Sequence, residues 1–174
     1  DFDPVRFRQR GQMGDRGLSR LQEEVTRAVE EHFSNHITGH EELPYSSEDR
    51  IILINHKHEY QLFSNDGESN RRLRMESDIW VRNVLPGIHM SIEAHGDQHR
   101  RMPPHWSGKL TPEEATAKQQ LRDEEKRVAF NDAGYIVIEI WEHDWIKAGR
   151  KSSYVHELIK LAIKKWLQNT EYTN

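Results

Sequence analysis

The sequence predicts an α/β fold in which a single mixed sheet is flanked by helices. Segments with helical spacing of apolar residues open and close the chain, and apolar runs with the length of strands lie between them. A third helical segment, beginning at Thr111, separates the last strand from the others. The order helix, strands, helix, strand, helix indicates one layered domain covering residues 1–174.

The composition limits the classes of function. Apolar residues make up 34% of the chain and charged residues 31%, as expected of a soluble globular protein with a thin core. The absence of cysteine excludes disulfides and thiolate metal sites, and it fits a cytoplasmic protein. We see no membrane span or signal peptide in the sequence. Because the net charge is -4, a nucleic-acid partner requires a local basic patch.

The first part of the chain predicts an arm followed by a helix. Residues 1–14 are rich in arginine and glycine without periodicity, which is typical of an arm. A helix over residues 16–33, capped by Ser19 or Asp15, is predicted next. Its apolar face consists of residues spaced three or four apart: Leu18, Leu21, Val25, Ala28, Val29 and Phe33. Residues 34–50 are expected to form a loop.

The middle of the chain predicts two strand pairs. The run Ile51–Asn55 is expected to pair with Tyr60–Phe63, and a turn is expected at 64–67. A hairpin follows over residues 78–95, with its turn at Pro86-Gly87. Apolar residues alternate with polar ones on both of its arms, as a strand with one buried face requires.

The hairpin carries the residues that indicate chemistry. Alternation places Glu93 and His95 on one face of the second strand, and Asp78 on the first strand can be aimed at the same place. Two carboxylates and an imidazole, closed by Gly96, are suited to a hard divalent cation and a hydrolytic water. The alternative is a half-exposed strand whose polar face has no function.

The last third of the chain predicts helix, strand and helix. Thr111 begins a helix with a capping box and Pro112 in the first turn, and Gly134 ends it. The run Tyr135–Trp141 is apolar on both faces, which indicates a central strand covered on both sides. An amphipathic helix is expected over residues 156–167. The expected inner face of the helix that begins at Thr111 comprises Ala115, Leu121, Val128 and Phe130.

Two basic clusters are candidates for contact with nucleic acid. The first, before the hairpin, fits either a solvated rim or a set of phosphate contacts; it consists of Arg71, Arg72 and Arg74. The second lies in a loop rich in proline and glycine, where cations are interleaved with an aromatic side chain. Its members are Arg100, Arg101, Trp106 and Lys109, and the tryptophan can also pack onto the core.

Several short motifs together resemble the very-short-patch repair (Vsr-like) endonucleases. Arg122-Asp123 on the predicted helix is followed eleven residues later by Gly134-Tyr135, and then by a strand ending in Trp141-Glu142. Asp78 stands where that family has its metal-binding aspartate, and Ala94-His95-Gly96 stands where it has Thr-His-Gly. The resemblance covers roughly residues 76–145 and implies the restriction-endonuclease-like fold of the wider PD-(D/E)XK nuclease superfamily.

The sequence also departs from these families. His95 replaces the lysine of the parent Glu-x-Lys pattern, and Arg100 occupies the place of a second histidine, one residue after His99. The structural zinc of the Vsr family needs cysteines, which this chain lacks, so mismatch specificity does not carry over. Related homing endonucleases with an EDxHD-type site place an acid on the first helix, a role open to Glu24 or Glu23.

The resemblance and the hairpin together predict a metal-dependent endonuclease that acts on DNA. Asp78, Glu93 and the carbonyl of Ala94 would hold Mg²⁺, or Mn²⁺, because such cations prefer oxygen ligands. His95 or His99 would take a proton from the attacking water. Asp123 would orient a histidine or a metal-bound water. Phosphodiester hydrolysis needs these three elements: a neutralised phosphate, an aligned water and a stabilised leaving oxygen.

Two alternatives remain open from the sequence. The first is a catalytically inactive PD-(D/E)XK-like domain that serves as a nucleic-acid-binding or assembly module, since the lysine of the parent pattern is missing. The second is a metal-binding protein without catalytic function, suggested by the 11 histidines, although their spacing is irregular. A homodimer, or a DNA-targeting domain outside the given sequence, would be compatible with each of them.

Overall fold

The computed structural model describes residues 9–10, 19–37, 50–63, 70–96 and 108–170. Five strands and four helices are found in these ranges. In chain order they are β1 (Gln9–Arg10), α1 (Arg20–Ile37), β2 (Ile51–Phe63), β3 (Asn70–Leu85), β4 (Ile88–His95), α2 (Pro112–Asp132), β5 (Ile136–Trp141), α3 (Glu142–Lys147) and α4 (Ser152–Asn169). Among the described residues, none of the helices has the length and apolar character needed to cross a membrane.

One mixed sheet organises the domain, with strand order β1-β2-β3-β4-β5. The pairs β2–β3 and β3–β4 are antiparallel, whereas the two-residue strand β1 runs parallel to β2 and β5 runs parallel to β4. Helices α1 and α4 pack together on one face, and α2 packs on the other. The predicted fold class, a single mixed sheet flanked by helices, is confirmed.

The face covered by α1 and α4 holds the main core. Helix α1 buries the predicted apolar stripe from Leu21 to Phe33, and α4 contributes Val155, Ile159 and Ile163. Ser19 accepts a hydrogen bond from the amide of Gln22 at 3.1 Å, so the predicted serine cap is present. The strands contribute apolar side chains to this core. Polar side chains are also buried beside it, among them His32 of α1, which contacts His156 of α4, and Arg50, whose guanidinium lies 4.7 Å from the ring centroid of Phe33.

Helix α2 covers the opposite face with a much smaller apolar contact. Its capping box is formed as predicted, with Thr111 and Glu114 each bonded to the backbone of the other. Phe130 is fully buried against the sheet. The predicted inner face is wrong for two residues, because Leu121 is 61% exposed and Val128 is 44% exposed. Helical spacing alone did not locate the helix surface that faces the sheet.

The strands differ from the prediction in three respects. Residues 51–63 form one continuous strand rather than two paired segments, and β3 begins at Asn70, well before the predicted hairpin. The predicted turn at Pro86-Gly87 is present, with Gly87 at φ 76°. Strand β5 lies at the end of the described sheet rather than at its centre, although α2 and α4 both contact it.

The side chains of β2 and β3 switch from one face of the sheet to the other at Asn55 and Asp78. Trp80 contacts Tyr135 on the α2 side of the sheet, and so does His58, whose strand partner is Met75. Strict alternation would put an odd-numbered residue of β3 on the face opposite to Trp80. Asn55 has φ 51°, a left-handed conformation that shifts the alternation of its strand. Asp78 lies opposite Asn55, at the point where β3 changes face.

Candidate acidic site at the ends of β4 and β5

Asp78 is held where strand β3 separates from β4. The pairing of β3 with β4 ends at Ile79 and Ile92, and before Ile79 in the chain the described part of β3 pairs with β2 alone. The amide of Ala94 donates to the Asp78 Oδ2 atom at 2.9 Å, so a side chain replaces a backbone acceptor. Gln22 of α1 donates to the Asp78 carbonyl at 3.1 Å and to the Asn55 side chain at 2.7 Å. These bonds fix Asp78 beside the strand that carries Glu93.

Glu93 is a buried carboxylate with two polar partners, and only 3% of it is exposed. The Ser91 hydroxyl donates to Oε1 at 2.9 Å, and the Lys126 ammonium of α2 donates to Oε2 at 2.6 Å. Ser91 lies in turn 2.6 Å from the buried Ser77 hydroxyl. Charge-assisted bonds of this kind stabilise an ionised carboxylate that has lost its water shell.

The charges around Glu93 act strongly on one another. Burial and the neighbouring Asp78 carboxylate raise the pKa of Glu93 to about 8, while Lys126 opposes that rise. Burial alone would lower the pKa of Lys126, but the carboxylates of Glu93 and Asp78 outweigh it, so the pKa is raised. Asp78, Glu93 and Lys126 therefore form one electrostatic unit, in which two acids compete for a single cation. We name these three residues the acidic site.

His95 lies on the same face of β4 as Glu93, as predicted. Its Nε2 atom is 3.4 Å from the Glu139 Oε1 atom of β5, and its ring centroid lies 4.6 Å from that of Trp141. Arg127 of α2 also binds Glu139, from Nε at 3.1 Å and from Nη2 at 2.7 Å. The bond from His95, followed by those from Arg127, lowers the pKa of Glu139 against the effect of burial. His95 is 3% exposed and Nδ1 is buried, so the imidazole is enclosed.

Asp123 lies on the part of α2 that faces the acidic site. Gln119 donates to its Oδ1 atom at 2.9 Å, and the charge of Asp123 contributes to the raised pKa of Lys126. The carboxylate bonded to His95 is Glu139. A role for Asp123 in orienting this histidine therefore has less support than an electrostatic effect on Lys126.

The described contacts of Glu24 lie outside the acidic site. Its carboxylate accepts hydrogen bonds from Trp145, Arg20 and Arg150, and no described contact joins it to Asp78 or Glu93. The alternative, Glu23, is exposed. The residue of α1 that reaches the acidic site is Gln22, through the carbonyl of Asp78. The role of Glu24 or Glu23 as the acid of the first helix stays a prediction.

Most of the predicted DNA-binding residues cannot be placed. His99, Arg100, Arg101 and Trp106 lie outside the described residues. Arg72 and Arg74 belong to strand β3, but their side chains are outside the described part of the structure. Lys109 is described and is exposed just before α2.

The donor atoms of the acidic site suit a hard cation. Asp78 and Glu93 supply carboxylate oxygens only, and the oxygen preference of Mg²⁺ or Mn²⁺ matches them. In the described ranges, no group of three or more histidine and carboxylate side chains could hold a metal ion. Two carboxylates can still suffice, because Mg²⁺ usually retains several water ligands. The residues present therefore fit the predicted cofactor.

The sequence did not predict two charged residues that bind the predicted ones: Lys126, which bonds to Glu93, and Glu139, which bonds to His95. Gln119, Asp123 and Lys126 are spaced four and three residues apart, which places them on one stripe of α2. That spacing was a usable signal, but the apolar Leu121 and Val128 suggested a different inner face. Glu139 is harder to recognise, because in the sequence it is only one polar position within an apolar strand.

No family model, no curated protein and no solved structure matches this chain. The resemblance to Vsr-like endonucleases therefore rests on the short motifs alone.

Proposed function

We propose that this protein is a metal-dependent endonuclease that hydrolyses phosphodiester bonds in DNA. The observation that carries the proposal is the buried Glu93, which accepts a hydrogen bond from the ammonium of Lys126 on the strand whose Ala94 amide binds the carboxylate of Asp78. Two acids and a lysine are also the charge set of the PD-(D/E)XK pattern, the superfamily to which the resembled endonucleases belong. A buried carboxylate with a strongly raised pKa is also a recognised sign of a functional site.

The acidic residues would hold the metal. Asp78, Glu93 and the carbonyl of Ala94 are the proposed ligands of Mg²⁺, or Mn²⁺, which would neutralise the phosphate and lower the pKa of a bound water. The bond from the Ala94 amide to Asp78 positions that carboxylate, and Ser91 positions Glu93. Such outer contacts orient the ligands without any movement at the moment of reaction.

Lys126 would supply the cation that the local sequence lacks. The parent pattern has its lysine two residues after the glutamate, where this chain has His95. Lys126 comes from α2, and its ammonium lies 2.6 Å from Glu93 Oε2. Because its pKa is raised, Lys126 stays charged and can donate hydrogen bonds to the phosphate as negative charge develops.

His95 or His99 remains the proposed base that accepts a proton from the attacking water. Glu139 and Trp141 hold the ring of His95 in one place, which suits a residue that must be oriented. Because that ring is enclosed, it would need local opening to reach a bulk water. Asp123 would act through the charge of Lys126.

Plasmid cleavage tests the proposal. Supercoiled DNA should be nicked or linearised in the presence of Mg²⁺, and EDTA should abolish the reaction. Glu93→Gln and Lys126→Met should each lower single-turnover cleavage by about 10²-fold or more, the scale of losing one electrostatic stabiliser. Lys118→Met, which changes an exposed lysine of the same helix, is the matched control and should be silent. Cleavage that survives in Glu93→Gln would contradict the proposal.

One observation favours the inactive nucleic-acid-binding module. Lys126 already neutralises Glu93 at 2.6 Å, as a purely structural ion pair would do. On that alternative the domain would bind DNA, and the addition of Mg²⁺ would produce no cleavage. DNA affinity measured with and without Mg²⁺, together with the plasmid assay, separates the two functions.

A further inference from the structure

A second charged cluster surrounds Glu24. The Arg20 Nε atom donates to Glu24 Oε1 at 2.7 Å, and the Arg150 Nη1 atom lies 3.0 and 3.2 Å from the two carboxylate oxygens. The Trp145 indole donates to Oε2 at 2.7 Å. The bond from Trp145, with the two guanidinium groups, lowers the pKa of Glu24 although its burial acts in the opposite sense. Glu24 thus holds two arginines from separate elements in fixed positions.

This cluster adjoins the acidic site. Strands β4 and β5 are parallel, so their last residues, His95 and Trp141, lie side by side where the two strands end, at one edge of the domain. Helix α3 begins directly after Trp141 and contains Trp145. On the other side, the same turn of α1 that carries Arg20 and Glu24 also carries Gln22, whose side chain points to the sheet and donates to the carbonyl of Asp78. The Glu24 cluster and the acidic site therefore share this edge of the domain.

Four cations lie along this edge. Lys147 and Lys151 are exposed at the end of α3 and the start of α4, next in the chain to Arg150. Arg20 projects into solvent, with 74% of its side chain exposed. We name Arg20, Lys147, Arg150 and Lys151 the basic rim. Since Glu24 already fixes the two guanidinium groups, little side-chain entropy is lost when an anion binds them.

We propose that the basic rim binds backbone phosphates of duplex DNA beside the acidic site. This inference rests on the proposed function, because a nuclease must hold the strand that it cuts. Contacts from arginine and lysine to phosphate fix the register of a protein on DNA without reading its sequence. The chain carries a net charge of -4, so its affinity for DNA must come from such a local surface. The rim also gives Glu24 a positioning role.

The test compares two double variants with the same change of charge. Lys147→Gln/Lys151→Gln removes two exposed cations from the rim, and Lys164→Gln/Lys165→Gln removes two exposed cations from the far part of α4. Lys151, at the start of α4, is about 20 Å from the control pair along the helix, from the rise per residue. Binding of a short fluorescein-labelled DNA duplex is measured by fluorescence anisotropy in EDTA, over a series of salt concentrations. Melting temperatures verify that all variants are folded.

The expected result is a change in the salt dependence of one double variant only. If both rim lysines contact phosphates, the slope of log K against log salt should become shallower by about 1.8, since each contact contributes about 0.9. The α4 control should keep the wild-type slope. Equal slopes in all three proteins, an equal change in both variants, or tighter binding of an RNA duplex would overturn the inference.

The outcomes separate this inference from the proposed function. Cleavage by the wild type together with an unchanged slope in the rim variant would leave the nuclease proposal standing and overturn the rim. A shallower salt slope in the rim variant, together with no cleavage by the wild type in Mg²⁺, would support DNA binding by the basic rim and contradict the nuclease proposal.

Discussion

The two faces of the sheet are built on different physical principles. On the face covered by α1 and α4, the strands contribute apolar side chains to a large core, and burial of hydrophobic surface stabilises the contact, with His32 and Arg50 buried beside it. On the face covered by α2, the apolar cluster is small, and serines, histidines and charged groups are buried beside it. Buried charge is a poor source of stability, because the cost of desolvation offsets the Coulomb attraction.

This difference indicates a division of labour between the faces. The apolar face keeps the chain folded and allows the α2 face to carry groups that reduce stability. Glu93 is one such group, since burial and the charge of Asp78 disfavour its ionised form. A structure tolerates such groups where they serve chemistry. Four substitutions test the comparison, from the largest expected change in stability to the smallest.

Ile159→Ala should give the largest loss of stability. Ile159 is fully buried in α4, and removing its side chain leaves a cavity in the apolar face. We expect the free energy of unfolding to fall by about 2–5 kcal/mol, which lowers the melting temperature by on the order of 10 °C. Thermal denaturation provides the measurement. Cleavage per folded molecule should be unchanged, and a selective loss of activity would argue against the division of labour.

Lys126→Met should destabilise the α2 face by about 2–4 kcal/mol, because the buried Glu93 loses its cation. In Glu93→Gln/Lys126→Met the buried carboxylate of Glu93 is also gone, so much of this stability should return while cleavage stays lost. Urea denaturation of the wild type, both single variants and the double variant yields the interaction energy. If the double variant were as active as the wild type, the pair would be structural only.

His58 should make stability dependent on pH. Burial first, and then the neighbouring charges of His56 and His89, lower its pKa from 6.5 to about 4 in the folded protein. The unfolded chain therefore binds more protons between these two values, so stability falls as the pH falls from 6.5 towards 4. The contribution of His58 should be roughly 2–3 kcal/mol.

His58→Phe tests this contribution directly. Phenylalanine fits among Trp80, Phe130 and Tyr135, which already surround the imidazole. Denaturant midpoints measured across the acid range should vary less in this variant than in the wild type. Parallel curves for the two proteins would exclude His58 as the source.

Asp123→Asn should have the smallest effect on stability, within about 0.5 kcal/mol. Asp123 is half-buried and bonded to Gln119, and asparagine keeps that contact. Cleavage should fall, but by less than in Lys126→Met, because Lys126 keeps its ammonium and loses only one of several neighbouring negative charges. Melting temperature, DNA affinity and single-turnover cleavage are measured together. Unchanged cleavage would remove Asp123 from the proposed site and leave Asp78 and Glu93 in place.

Much of the fold followed from local patterns. The apolar stripe of α1, the turn at Pro86-Gly87 and the capping box at Thr111 were all predicted and are present. These features depend on neighbours within a few residues, so the sequence contains what decides them. The two-residue period of β4 likewise placed Glu93 and His95 on one face.

The errors arose where distant parts of the chain meet. Leu121 and Val128 share the helical spacing of an inner face, yet the sheet contacts a different side of α2. Strand β5 has the apolar pattern of a central strand, but it lies at the end of the described sheet. In both cases packing between elements outweighed a correct local rule.

The sequence by itself determined the fold class, helices α1, α2 and α4, and the carboxylates of the hairpin, because hydrophobic periodicity and turn chemistry act over a few residues. Only the tertiary structure decided which charges meet. Lys126 reaches Glu93 across 33 residues of chain, and Arg127 reaches Glu139 across 12. These contacts depend on how α2 is rotated against the sheet. Burial of Phe130 fixes that rotation, and burial is a property of the assembled layers.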